Sequence, residues 1–224
     1  MMRPDRTTMK NLTFDWDEVR ENWPKKFKAE RYIFEEISPG DRIFIGTGCG
    51  EPQHLVEVLL NYIKKDPKAF LDAELINIVT LGVAPYTDEK FKYNFRLKSF
   101  FIGDSTRRIV NKAEADYTPI FLSAVPDLIR TERIRIDVAL IQTTPPDENG
   151  EMNLGVSVDI VKAAIEKASV VVAQANSNMP CVQGDGKINI EDLDYIVPYD
   201  EPLLEYLEQV LATYQRELEA MSQA

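Results

Sequence analysis

A chain of 224 residues with 44% hydrophobic content can bury a sizeable core, so one principal domain with a small helical extension is expected. A net charge of −11 argues against a nucleic-acid or anionic-membrane surface, and no run of about 18 apolar residues offers a membrane span. A single histidine and two cysteines exclude a multi-histidine metal centre and a disulfide framework, so no metal is expected.

Residues 1–12 read as a loose, polar arm without the apolar core of a signal peptide, which points to a cytoplasmic protein. Trp16, Val19, Trp23, Phe27, Ile33, Phe34 and Ile37 fall near helical spacing. Asp15 to Ile37 is therefore expected to form one or two helices, broken at Pro24. Ser38 to Asp41 is a turn by composition. The apolar run Arg42 to Gly46 predicts a strand. It leads through three alternating glycines to a helix from Pro52 to Lys64, with Leu55, Val58, Leu59, Tyr62 and Ile63 on one face.

After the breaker Asp66-Pro67, Leu75 to Leu81 predicts a buried strand. Gly82 to Asn94 reads as a loop and Leu97 to Ile102 as another apolar run. Asp104 or Ser105 is expected to cap a helix reaching about Ala115. Pro119 to Val125 predicts a strand and Pro126 to Arg133 a short helix. Ile136 to Thr143 predicts a strand, followed by a loop through Gly150, a helix over Ser157 to Lys167 and a strand over Ser169 to Ala175. Ile188 to Val197 is mixed. A leucine stripe from Leu203 to Leu218 predicts a last helix whose apolar face is core, a docking surface or a homo-oligomer contact. Strands alternating with helices imply an α/β fold, a mostly parallel sheet covered on both faces. Three parts are expected: an arm with helices over 1–38, the α/β domain over 39–200, and a C-terminal helix over 201–224.

The stretch Gly46-Thr47-Gly48-Cys49-Gly50-Glu51 stands out. Glycines let the backbone approach a ligand, and the N–H groups of a helix start favour anions. Turns at the carboxyl ends of strands are where α/β proteins bind small molecules. As a dinucleotide fingerprint the stretch fails, because Glu51 stands where a third glycine belongs, and no Lys-Ser or Lys-Thr follows to make a P-loop. A tight strand-to-helix turn without ligand is the competing reading.

Several segments together resemble the acetyl-CoA hydrolase/transferase family. They are Ala115 to Ser123 before Pro126, Asp137 to Gln142 leading to Pro145-Pro146-Asp147, Leu154 to Asp159 leading to Lys162-Ala163-Ala164, Asn176 to Pro180 running into Gly184-Asp185, and Asp192 to Val197. The resemblance covers about residues 35–205 and implies a CoA-transferase-type domain with the architecture of the sugar-phosphate isomerase and CoA-transferase group. It implies transfer of CoA between an acyl-CoA and a short carboxylic acid, through attack of a glutamate on the thioester, an acyl anhydride and a glutamyl-CoA thioester. Coenzyme A would enter as substrate, and no resident cofactor is implied. In the family the nucleophilic glutamate lies on a second domain, which this sequence does not match. The expectation is thus an N-terminal half that needs a second domain or subunit and is inactive alone. A non-catalytic acyl-CoA or carboxylate-binding module of the same fold is the alternative.

Substrate or CoA contacts are expected from Gly46, Thr47, Gly48, Cys49, Gly50, Glu51, Asn153, Gly155 and Asn176. No catalytic residue is assigned. Glu51 reads first as a capping or lining acid, and Cys49 with His54 first as a buried thiol and a surface histidine. Arg107 and Arg108 could hold a CoA phosphate or be surface charges. Asn178 and Met179 follow the last clear strand and either line the cleft or stabilise the loop.

Overall fold

The computed structural model describes residues 14–81 and 84–205. Nine strands are found among them: β1 (Arg42–Ile45), β2 (Ala73–Asn77), β3 (Phe95–Ser99), β4 (Ala115–Tyr117), β5 (Val138–Thr143), β6 (Glu151–Asn153), β7 (Val170–Ala175), β8 (Lys187–Asn189) and β9 (Tyr195–Pro198). The α-helices are α1 (Trp16–Asn22), α2 (Glu30–Ile33), α3 (Gln53–Lys65), α4 (Asp104–Asn111), α5 (Val125–Arg130) and α6 (Val161–Lys167). Seven strands form one parallel sheet in the order β4-β3-β2-β1-β5-β7-β9. The antiparallel pair β6 and β8 stands apart, with Met152 opposite Ile188.

Strand alternation explains the two-sided core. Ile43 and Ile45 point to one face, and Phe44 between them points to the other. The first face meets Leu55, Leu59 and Ile63 of α3. The second meets Val125 and Ile129 of α5 and Val161 and Ala164 of α6. Both faces of β1 and β5 are buried, which is why these strands read as continuous apolar runs. This is the α/β fold that the alternating pattern predicts.

At the N-terminal side the break falls at Trp23 and Pro24 as expected, with a 3₁₀ turn over Pro24–Lys26. The Asp15 side chain accepts the N–H groups of Asp17 (3.0 Å) and Glu18 (3.4 Å) and so starts α1.

Three local expectations are corrected. The strand expected over residues 119–125 is instead β4, four residues earlier, paired with β3 at the sheet edge. A 3₁₀ turn (Leu122–Ala124) and the start of α5 occupy the expected place. The helix after Gly103 ends at Asn111, not near Ala115, and Gly103 itself is its N-cap. Pro52 is the N-cap of α3, not its first helical residue. The loose arm over 1–12 lies outside the described residues, as does most of the expected C-terminal helix. Its first residues, Leu203 to Glu205, have no regular secondary structure.

Sheet order places the functional edge. Chain order runs outward from β1 through β2 and β3 to β4, then jumps across β1 to β5 and continues through β7 to β9. The reversal between β1 and β5 is a topological switch point, and in open α/β sheets the crevice outside the carboxyl ends at such a point holds the ligand. Among the described residues no helix is long and apolar enough to cross a membrane.

Candidate active-site cleft

The glycine turn leaves β1 at that switch point. Residues Gly48–Gly50 make a 3₁₀ turn, entered through extended Thr47 and left through Glu51. Gly48 takes a left-handed φ of 58° and nothing lies within 4 Å of where its side chain would be, so backbone conformation alone calls for glycine there. At Gly50 the reason is different. A Cβ would stand 2.5 Å from the Cβ of Ser157.

The turn is not the free anion cradle that its glycines suggest. The Gly46 N–H donates to Leu140 O (2.8 Å) and the Gly48 N–H to Val79 O (3.0 Å). The Gly50 N–H donates to Thr47 O (3.1 Å) and the Glu51 N–H to Gly48 O (3.3 Å). Four of the turn's donors are thus spent internally: two hold it to β5 and to the segment after β2, and two close the 3₁₀ turn on itself.

What the turn does present is one wall of a cleft of about 720 Å³. Thr47, Gly48 and Cys49 form that wall, Val79 and Leu81 follow β2, and Val156, Ser157 and Asp159 come from the loop before α6. Asn178 and the segment Pro202 to Glu205 close the opposite side.

Hydroxyl groups knit the first two walls together. Thr47 Oγ1 donates to Asp159 Oδ2 at 2.6 Å, and Ser157 Oγ donates to the Thr47 carbonyl at 2.8 Å. The two hydroxyl oxygens lie 3.1 Å apart. Asp159 Oδ1 also accepts the Ile160 N–H, so the loop is fixed at the start of α6.

Of the residues expected to touch substrate, Thr47, Gly48 and Cys49 line the cleft. Gly46, Gly50, Glu51, Asn153, Gly155 and Asn176 are buried behind it. The Asn153 side chain accepts the Gly155 N–H (2.9 Å) and donates to Val182 O (2.9 Å), so it ties the β6 end to a neighbouring loop. Gly155 packs against Met179. Asn176 sits in a buried amide chain. Its Nδ2 donates to Gln142 Oε1 (2.7 Å) and to Glu201 O (2.8 Å), while Gln142 Nε2 donates to the Glu51 carbonyl (3.0 Å). This chain joins the glycine turn to the segment that forms the far wall.

Glu51 is 1% exposed, far from the surface acid of an ordinary first turn. Burial pushes the Tyr86 phenol well above its usual range, and the nearby Glu51 charge pushes it further, while hydrogen bonds with Thr80 and Asn77 pull it back. His54 does not serve Cys49. Its Nε2 lies 2.8 Å from Glu30 Oε1, and its ring stacks on Tyr199 at 3.7 Å. Arg107 and Arg108 are exposed on α4 and neither lines the cleft; Arg108 borders a separate cavity with Lys112 and Glu114. No group of three or more metal-ligating side chains is found among the described residues.

Val79, Ser157 and Asp159 line the cleft without having been expected to. Ser157 and Asp159 lie inside the family-like segment Leu154 to Asp159, and that was the available signal.

A parallel sheet of this order, with a cleft at its switch point, is an α/β domain of the CoA-transferase type. The chain belongs to the acetyl-CoA hydrolase/transferase family, whose N-terminal domain matches residues 9–208. It is 38% identical over 191 residues to the 4-hydroxybutyrate coenzyme A transferase of Clostridium kluyveri, covering 85% of this chain and 43% of that protein. It is 37% identical over 180 residues to a succinyl-CoA:acetate/propanoyl-CoA:succinate CoA transferase of Fasciola hepatica, covering 80% of this chain and 37% of that protein. RipA from Yersinia pestis has the same fold, with a TM-score of 0.75 at 23% identity over 84% of this chain and 45% of that one. The chain therefore spans less than half the length of these relatives.

Proposed function

We propose that this chain is the N-terminal half of a CoA-transferase or acyl-CoA hydrolase, moving CoA between an acyl-CoA and a short carboxylic acid. The observation that carries the reading is the position of the cleft. It opens at the β1–β5 switch point, on the glycine turn, in a chain whose family match covers that whole region. The nucleophilic glutamate is assigned to a second domain or subunit. Glu51, the acid nearest the turn, is 1% exposed and does not line the cleft, which suits a structural carboxyl better than a group that must attack a thioester.

A non-catalytic acyl-CoA-binding module is the second reading. The internal use of four turn amides favours it, because a developing oxyanion needs free, aimed donors. In both readings Thr47, Gly48 and Cys49 contact the ligand directly, and Gly46, Gly50, Glu51, Asn153, Gly155 and Asn176 set the shape of their wall.

The test is CoA exchange between acetyl-CoA and a carboxylate, first with this chain alone and then with the C-terminal portion of a relative added. The expected result is no turnover alone and turnover on mixing. Turnover by the chain alone overturns the assignment of the nucleophile. Thioester binding without exchange in the mixture selects the binding-module reading.

A further inference from the structure

A second cavity, of about 410 Å³, lies on the face of the sheet that α3 covers and shares no lining residue with the glycine-turn cleft. Its floor is apolar. Leu75 of β2, Phe95 and Leu97 of β3, Ile109 of α4 and the Tyr86 ring are all buried. The Tyr86 hydroxyl is taken up by Thr80 (2.7 Å) and Asn77 (3.0 Å), so the ring and not the phenol oxygen serves the floor.

The rim is charged, and most of its charges are already matched. Lys92 pairs with Glu89 (3.2 Å), Arg96 with Asp72 (2.7 Å) and Asp88 with Lys90 (2.8 Å). What is left is Arg108, Lys112 and Glu114. Arg108 and Lys112 stand four residues apart at the C-terminal end of α4, and among the described residues neither makes an ion pair. Like charges at that spacing repel each other. The helix dipole offsets part of the repulsion, and a bound anion would offset the rest.

We infer that this cavity binds a small phosphate monoester with an apolar body such as an aromatic ring, the phosphate against Arg108 and Lys112 and the ring on the floor. The guanidinium fork matches a pair of phosphate oxygens, and the ammonium adds a point charge beside it. A phosphate monoester carries about −1.5 to −2 charge at pH 7, which answers both cations in spite of Glu114, whereas a carboxylate answers one. The volume lies within the range of small-molecule pockets.

Binding of phenyl phosphate, benzoate, benzyl alcohol and inorganic phosphate to the 224-residue chain is measured by isothermal titration calorimetry. Phenyl phosphate is expected to bind more tightly than each of the others by about fivefold or more. Arg108→Gln and Lys112→Gln should each weaken it about fivefold, and Glu114→Gln should tighten it by about the same factor, a gain that a damaged fold cannot produce. Arg130→Gln, an equal loss of charge on α5 across the sheet, should leave it unchanged. No binding of phenyl phosphate, equal binding of any of the other three probes, or an affinity unaltered by the Arg108, Lys112 and Glu114 substitutions overturns the inference. None of these outcomes bears on the CoA-thioester reading, which concerns the other cleft.

Discussion

The Cβ of Ser157 fills the place where a side chain at Gly50 would begin: a Cβ built on Gly50 stands 2.5 Å from it. Ser157 lines the cleft and Gly50 lies behind it in the glycine turn, and this contact sets how closely the turn and the loop before α6 approach. Gly50→Ala should therefore destabilise the fold by about 1–3 kcal/mol through overpacking, measured by urea denaturation. Adding Ser157→Gly should recover part of the loss, because it removes the opposing Cβ. Adding Ser157→Ala should not, because the Cβ remains. Recovery by the alanine variant would show that the Ser157 hydroxyl, not the backbone approach, sets the contact.

Thr47 tests the hydroxyl bridge separately from the packing. Its side chain is 1% exposed and gives its proton to Asp159. Thr47→Val keeps the shape and removes the donor, so a loss of about 1 kcal/mol is expected, as for one charge-assisted bond with an exposed acceptor. Thr47→Ser should retain the bond, at the cost of a methyl group's packing. Faster iodoacetamide labelling of Cys49 in the valine variant than in the serine variant would report the freed loop before α6.

The parts of the fold that were legible in the sequence are those where one local pattern decides the outcome. Ile43, Phe44 and Ile45 alternate between two buried faces, and Leu55, Leu59 and Ile63 share one helix face. β4 was not legible. It is an edge strand of three residues, with Asp116 and Tyr117 exposed, and so shows no apolar alternation. The apolar run after it, where a strand is expected, pairs with no strand among the described residues and leaves Phe121 85% exposed. The site was half legible for a related reason. Glycines mark the turn, but which neighbours complete the wall depends on contacts across 110 and 112 residues, from Thr47 to Ser157 and Asp159. Residue type alone cannot tell a lining amide from a structural one, and Asn153 and Asn176 turn inward to satisfy part-buried backbone carbonyls.

Asn176 is the place to break the link between the two walls. It is fully buried and donates both to Gln142 and to the Glu201 carbonyl. Asn176→Ala leaves Gln142 Oε1 without that donor and opens a small void, so a loss of about 2–3 kcal/mol is expected by urea denaturation. The segment from Asp200 to Glu205 should also become more sensitive to limited proteolysis, since Asn176 and Asn178 hold the Glu201 carbonyl. A stability loss without that change in cleavage would mean that the far wall is held by other contacts.

The last test concerns acid. Glu36 pairs with Lys28 at 2.9 Å and accepts the Tyr195 hydroxyl. The Lys28 hydrogen bond, then the Tyr195 hydrogen bond, hold the Glu36 carboxyl below the usual glutamate range, against a smaller desolvation effect. A carboxyl with a depressed folded-state pKa stabilises the fold above its unfolded pKa and loses that contribution as pH falls through the folded value. The gap in stability between wild type and Glu36→Gln should thus be present at pH 7 and close below about pH 4, on urea titrations at each pH. It should be small at every pH, because the Glu36 side chain is 37% exposed and water screens the pair. Raised salt should shrink it further at pH 7. A gap that widens on acidification would mean that the glutamine, not the loss of charge, is responsible.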